Sequence, residues 1–554
     1  MTKVLLIFFL IFFFALPIFA QSVNTAWVRR YNGLGNGEDR AKAIALDNSG
    51  NVYVTGYSSG SGTYRDYTTI KYYPNGDTAW VRRYNGSGNW LDEAYAIAID
   101  GSENIYVTGY SYYSGTYFDY ATIKYYPNGD TAWVRRFNGP QNDYDQAYAI
   151  AVDDSNNIYV TGGSGDGGIA RDYATIKYNP NGNTVWERRY DGPQNGWDEA
   201  YAITVDNFGN VYVTGTSDGS GPGGDYVTIK YYSNGDTAWV RRYSGPGNAD
   251  DGACAIAVDG SGDIYVTGFS WGSGTGSDYA TIKYYPNGDT AWLRRYNGPG
   301  YGYDYATALA LDGSDNLYVT GYSYGINYDY ATIKYCPNGD TAWVRRYNAP
   351  GYEPGYDIDK AYAIAVDDSN NVYVTGYSYD SGTSGDFVTI KYYPNGDTAW
   401  VRRYDGPGDS TDYASAVAVD SVGNVYVTGW SYDDVTNFDY ATIKYVKTPN
   451  DIKDETGGPE RPSEFALSQN YPNPFNSLTT INYSVERVGL VRLTIYNILG
   501  QQVGTLVNER KQKGSYSVEW DGHNDKRQEL PSGAYFYILK VDDNTSSKKM
   551  ILLK

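Results

Sequence analysis

One tryptophan sets the terms for most of this chain. Trp27, Trp80, Trp133, Trp186, Trp239, Trp292, Trp343 and Trp400 each open the same passage, at steps of 53, 53, 53, 53, 53, 51 and 57 residues. A period of that size marks an array of one supersecondary unit, a propeller or a solenoid. One copy consists of Thr78 to Tyr84 (TAWVRRY), Ala94 to Asp100 (AYAIAID), Asn104 to Ser111 (NIYVTGYS) and Asp119 to Gly129 (DYATIKYYPNG). Each run is rich in β-branched and aromatic residues and is bounded by Gly, Asn, Asp or Pro, so each copy predicts four strands and no helix.

Two turns recur along the array. Asn-Gly in Pro74-Asn75-Gly76-Asp77, and again in Pro127 to Asp130 and Pro394 to Asp397, supplies the positive φ of a two-residue hairpin, which pairs TIKYYP with TAWVRRY. Asp47-Asn48-Ser49-Gly50-Asn51 is a tight turn between the second and third runs. The expected fold class is all-β: an eight-bladed β-propeller of four-stranded antiparallel blades.

The stretch from Ala94 to Asp100 through Tyr106-Val107-Thr108-Gly109, eight times over, resembles the bacterial SBBP-type β-propeller repeat across residues 24 to 445. The resemblance implies that AIAVD is the innermost strand of a blade and TAWVRRY the outermost. On that order the chain opens with an outer strand, Thr25 to Tyr31, and closes at Asp439 to Tyr445 with a third strand that lacks its outer partner. The N-terminal strand is therefore expected to complete the eighth blade, closing the ring and removing an open sheet edge.

Three aspartates recur in all copies, typified by Asp92, Asp100 and Asp119, together with two arginines and a lysine, typified by Arg82, Arg83 and Lys124. Ion pairs between blades and hydrogen bonds to turn amides are the expected roles, with the tryptophan and tyrosine of WVRRY packed between blades. Residues present eight times make poor candidates for a catalytic centre. No cofactor is expected. Calcium is the one ion that acidic turns would admit, but no copy has the alternating ligands of an EF-hand loop, and capping of turns is the preferred reading.

Function is expected where the copies differ. The loops from outer strand to next blade and from second to third strand share one face and vary in length and sequence. That face bears Trp90, Tyr144, Trp197, Trp271, Tyr301 and Trp430, the candidate ligand-binding residues, set among Gly, Ser and Asp. Rings for stacking and short polar groups for hydrogen bonds suit a glycan or a surface protein. The chain is read as a secreted or surface binding and adhesion protein, monomeric. The rival class is an extracellular enzyme, glycan-active or quinone-dependent, using carboxylates on the variable face. No catalytic motif supports it: the one histidine, His523, lies outside the repeats, and Cys254 and Cys336 have no base nearby in sequence.

Residues 21 to 445 carry 29 basic and 51 acidic groups, a surface that repels nucleic acid. Residues 1 to 20 read as a signal peptide, with Lys3, an apolar run from Val4 to Phe19 and Ala20 before the cut. No later segment is apolar enough to predict a membrane-spanning helix. A linker rich in Pro, Gly and charge is expected over 446 to 462, and a β-sandwich over 463 to 554.

That last segment holds Asn470-Tyr471-Pro472-Asn473-Pro474-Phe475-Asn476, Gly500 after Tyr496-Asn497-Ile498-Leu499, Trp520-Asp521-Gly522 and Gly533 in Ser532 to Tyr537. These motifs resemble the immunoglobulin-like C-terminal sorting domain of type IX secretion substrates. Ser477 stands where a proline is common. The resemblance implies the type IX machinery as partner, with passage by signal peptide and periplasm to the cell surface or the medium.

Overall fold

The structure is a computed structural model. It describes residues 23–447 and 466–552, apart from short breaks at 169, 220, 222, 248, 301, 350–357, 381–382, 409, 468–478, 486, 499, 513 and 542–543. The chain forms two compact units, Met1–Lys453 and Asp454–Lys554. The expected signal peptide, 1 to 20, and linker, 446 to 462, fall almost entirely outside the described residues.

The first unit holds eight four-stranded antiparallel sheets. In blade 1 the strands run A (Asp39–Leu46), B (Val52–Ser59), C (Arg65–Tyr72) and D (Thr78–Tyr84), in that order from the axis outward. Blades 2 to 7 repeat the order from Asp92–Ile99 to Thr398–Tyr404. Blade 8 takes strands A to C from Tyr413–Val419, Val425–Asp433 and Asn437–Lys447, and its outer strand from the chain's beginning, Val23–Tyr31. Trp27 lies opposite Lys444, so the ring closes as the sequence led us to expect.

The B and C strands are the buried layers of each blade. Their alternate side chains meet a neighbouring blade on either side, and a threonine pair such as Thr55 and Thr69, 2.9 Å apart, satisfies both hydroxyls inside the sheet. The joint between blades repeats one design. Trp80 packs between Tyr53 of its own blade and Tyr125 of the next, with ring centroids 6.0 Å away in each case. Its indole donates to the Pro127 carbonyl at 3.1 Å, Lys71 donates to the same oxygen at 3.2 Å, and Arg82 Nε donates to the Gly129 carbonyl at 2.6 Å.

The closure joint uses the same set. Trp27 and Lys444 donate to the Pro74 carbonyl at 3.2 and 3.0 Å, and Arg29 Nε to the Gly76 carbonyl at 2.6 Å. Gly76 is required there twice over: its φ is +88°, and a Cβ would stand 2.8 Å from the Trp27 ring.

The recurring carboxylates divide the labour. Asp92 accepts from the Gly86 amide at 2.8 Å and from Ser111 and Tyr112, anchoring the incoming loop to strand B. Asp100 takes the amides of Ser102 and Asn104, both at 2.9 Å, and the Tyr106 hydroxyl at 2.8 Å. The third class pairs with arginine, as in Asp66 with Arg83 at 2.8 Å. Here the expectation of ion pairs between blades is corrected. Asp66 and Arg83 stand on adjacent strands C and D of one blade, and the recurring set holds the neighbouring blade through backbone carbonyls; ion pairs between blades occur instead at residues outside the repeat, Arg65 with Glu93 and Arg171 with Glu199.

The second unit packs a three-stranded sheet (Ala466–Leu467, Thr479–Val485, Gly514–Trp520) and a four-stranded sheet in the order Gln502–Lys511, Gly489–Asn497, Gly533–Val541, Asn544–Leu552. Both line one core, centred on Ile481, Leu493, Ile495, Trp520, Tyr537 and Met550. Cys254 and Cys336 are free thiols.

Candidate functional site

Each A strand carries a β-bulge after its first alanine, seen as the register shift between Ala41 and Ala43 and at the same point in all eight blades. A bulge re-aims one side chain. The residues so placed are Lys42, Tyr95, Tyr148, Tyr201, Cys254, Thr307, Tyr362 and Ser415. They differ from blade to blade, as do the residue after the first aspartate, the residue before the third, and the residue after the strand B glycine. These four positions sit together where the variable loops emerge.

In blades 4 and 5 some of them turn small. Gly224 stands where blades 1 and 3 have Arg65 and Arg171, and Gly252 where blades 2 and 4 have Glu93 and Glu199. The result is a groove of about 460 Å³ across blades 4 to 6, walled by Trp197, Tyr201, Phe269, Trp271 and Tyr305 and floored by Gly224, Gly252 and Ser277, with Thr216, Asp218 and Asp250 at its edges. The glycines are part of the shape: a Cβ on Gly252 would come within 2.8 Å of the Phe269 ring, and one on Gly224 within 2.3 Å of Thr216 Oγ1.

The aromatic walls are held in place. Trp197 donates from Nε1 to Glu199 at 3.1 Å, the Tyr201 hydroxyl donates to the same carboxylate oxygen at 2.9 Å, and Arg171 lies 4.5 Å over the Trp197 ring while pairing with Glu199 at 2.7 Å. Trp271 packs edge-on against Tyr303, and Phe269 lies 4.8 Å from Tyr305. Asp218 accepts the Trp197 amide at 2.8 Å and Asp250 the Gly224 amide at 3.2 Å. The Ser277 hydroxyl is buried, faces the groove, and has no partner among the described residues.

Of the aromatics singled out from sequence, Trp197 and Trp271 thus share one groove. Trp90 and Tyr144 lie elsewhere on the same face, the first against Tyr64 at 4.6 Å and the second stacked on Tyr117 at 5.4 Å. Trp430 is a strand B residue of blade 8, stacked on Tyr413 at 5.1 Å. Tyr301 lies outside the described residues. What the sequence reading missed is the floor: Gly224, Gly252 and Ser277 carried a signal, since each departs from a bulky residue at its repeat position.

Among the described residues, two carboxylate triads bring their oxygens within 4.8 Å, Asp172 with Asp191 and Asp198, and Asp386 with Asp405 and Asp412. In each, an aspartate replaces the asparagine usual after the RRY motif. These are the residues that would hold a cation, although Arg189 already pairs with Asp172 at 2.8 Å and Arg403 with Asp386 at 2.8 Å.

In the second unit, Gly500 takes φ +75° in the turn after Asn497, Trp520 is buried and donates to the His523 carbonyl at 2.9 Å, and Gly533 opens a core strand. The segment Asn470 to Asn476 lies outside the described residues.

Comparison with known families gives both units a class. Residues 26–62, 79–112, 132–169, 194–222, 342–382 and 399–435 match the Beta-propeller repeat, and residues 469–553 match the Secretion system C-terminal sorting domain. The chain is an SBBP-type propeller that carries a type IX sorting domain, and it is exported to the cell surface or secreted. Among solved structures it is similar to PorZ, described as a surface component of the type IX secretion system of Porphyromonas gingivalis (14% identity, 95% of this chain and 70% of that one, TM-score 0.42). It is also similar to the β-propeller domain of the Trilobed protease from Pyrococcus furiosus (9%, 65% and 99%, TM-score 0.35) and to a calcium-binding regucalcin from Agrobacterium tumefaciens (11%, 51% and 82%, TM-score 0.28). No curated protein matches the chain. Among the described residues no helix is long and apolar enough to cross a membrane.

Proposed function

We propose that this exported propeller is a recognition protein, and that it binds a glycan in the groove of blades 4 to 6. The observation that carries the reading is the groove itself. It arises where the repeat is broken, and it combines two indole faces with a buried hydroxyl that has no partner among the described residues and carboxylates at the rim. Sugar rings offer C–H faces that stack on indoles and hydroxyls that need acceptors and donors close by, and a groove of this volume falls within the range of small-ligand sites. Both rim carboxylates already hold backbone amides, which favours a fixed binding wall over acid–base chemistry.

The test is a glycan array probed with the purified chain and with Trp197→Ala and Trp271→Ala. Each substitution should weaken the retained glycan by about tenfold or more, as loss of a buried aromatic anchor does, while Trp90→Ala leaves it unchanged. An unaltered profile in both groove variants would remove the proposal.

A further inference from the structure

Two arginines and one lysine recur in every copy of the repeat, and only five basic residues of the propeller stand outside that pattern: Arg40, Lys42, Arg65, Arg171 and Lys360. All five occupy the variable positions at the mouth of the central channel. Three of them have acidic partners. Arg65 bridges Glu38 and Glu93, each at 2.6 Å, Arg171 meets Glu199 at 2.7 Å, and Arg40 meets Glu38 at 3.2 Å.

The two lysines form no ion pair among the described residues. Lys42, the one charged residue among the eight bulge positions, lies 5.1 Å over the Trp430 ring and 5.6 and 5.8 Å from those of Tyr95 and Tyr57. Lys360 lies 4.5 and 4.9 Å over Tyr322 and Tyr328. Neither makes a hydrogen bond or ion pair among the described residues, and burial holds both ammonium groups below the usual lysine range. Yet both remain partly exposed. Between them runs an aromatic wall, with Tyr377 4.5 Å from Tyr413 and Tyr413 stacked on Trp430. Two more donors on this arc are buried without an acceptor, the Trp430 indole Nε1 and Arg40 Nε.

The carboxylates that act on Lys42, those of Glu93 and Glu38, are both engaged by Arg65; cations kept partly desolvated with no direct ion pair cost stability, and such costs concentrate at functional sites. Here they interrupt a propeller that is otherwise strongly acidic. We propose that the channel mouth at blades 7, 8 and 1 is an anion-binding subsite, which takes the carboxylate or sulfate groups of an acidic polysaccharide. The polymer rests on the glycan reading above; the anion site does not.

The experiment measures binding of polygalacturonate, dextran sulfate and uncharged dextran to the full chain by biolayer interferometry, and of inorganic sulfate by calorimetry. The first two polymers separate carboxylate from sulfate. Lys42→Gln/Lys360→Gln should weaken the preferred anionic polymer by at least tenfold, flatten its salt dependence, and leave any binding to dextran unchanged. Because the substitutions remove partly desolvated charge, the melting temperature should hold or rise, which separates loss of a ligand site from loss of structure. Lysine-dependent sulfate heat with no polymer binding would keep the anion site and overturn the polysaccharide. Equal binding of every anion by the wild type and the lysine variant, or binding of no anion at all, would overturn the site.

Discussion

Replacing Trp27 by alanine tests whether the ring is closed. In the structure Trp27 is 7% exposed, packs 6.0 Å from Tyr72 and 6.2 Å from Tyr426, and donates to the Pro74 carbonyl. Removing a buried tryptophan costs about 3–5 kcal/mol in lost burial and residual cavity. The lost hydrogen bond adds little, because Lys444 still donates to the Pro74 oxygen and no orphan acceptor is left. Trp239 occupies the same environment at an interior joint, 6.3 Å from Tyr212 and 6.1 Å from Tyr284, with its indole on the Pro286 carbonyl. In a closed ring the two substitutions should therefore destabilise equally, within about 0.5 kcal/mol. Urea denaturation followed by fluorescence, with slopes compared, measures both. If Trp27→Ala costs less than half of Trp239→Ala, blade 8 is open in solution and the closure argument fails.

Three further outcomes are expected. Asp278→Ala removes the ion-pair partner of Arg295 at 2.8 Å; the arginine side chain is 21% exposed and keeps its hydrogen bonds to Tyr243 and Ser270, so the cost should be about 2–3 kcal/mol, short of the full penalty for a buried orphan charge, and a cost under about 0.5 kcal/mol in urea melts would show the pair to be idle. Burial raises Asp92, Asp145 and Asp412 from 3.8 to about 6; a raised carboxyl binds its proton more tightly in the folded state, so stability should be greatest near pH 4 and fall as pH rises through 6. Asp312, which is lowered, opposes this weakly, and a calorimetric melting temperature that is flat or rising over that window contradicts the argument. Deleting residues 463 to 554 should leave the propeller in the periplasm when cell fractions are blotted, and its continued appearance outside the cell would detach the sorting role from this unit.

Much of the fold was legible because a repeat gives its own control. Gly76 and its counterparts, the Asp47 turns and the unpaired strand at Asp439 to Tyr445 specify the hairpins, the blade and its closing partner. What eight identical copies conceal is the difference between a neighbour in the same blade and its equivalent in the next. Asp66 has Arg83 on its own blade, yet Arg30 or Arg136 would satisfy the same sequence pattern, and only strand adjacency decides. The candidate site was half legible for a related reason. Trp197 and Trp271 announce themselves as added rings, whereas Gly224, Gly252 and the bulge at Tyr201 make room by absence or by a shift of register, and these become visible only when the A, B and C strands are laid side by side.

The claim that function lies where the repeat fails is tested most directly by amide hydrogen exchange of the full chain, with and without the glycan it retains. Slowed exchange is expected on the variable face alone, in the groove segments around Trp197 to Gly224 and Asp250 to Ser277 and, for an anionic polymer, also around Lys42 and Lys360. Protection that appears instead on the opposite face, at turns such as Asp47 to Asn51 and Pro74 to Asp77, would contradict it.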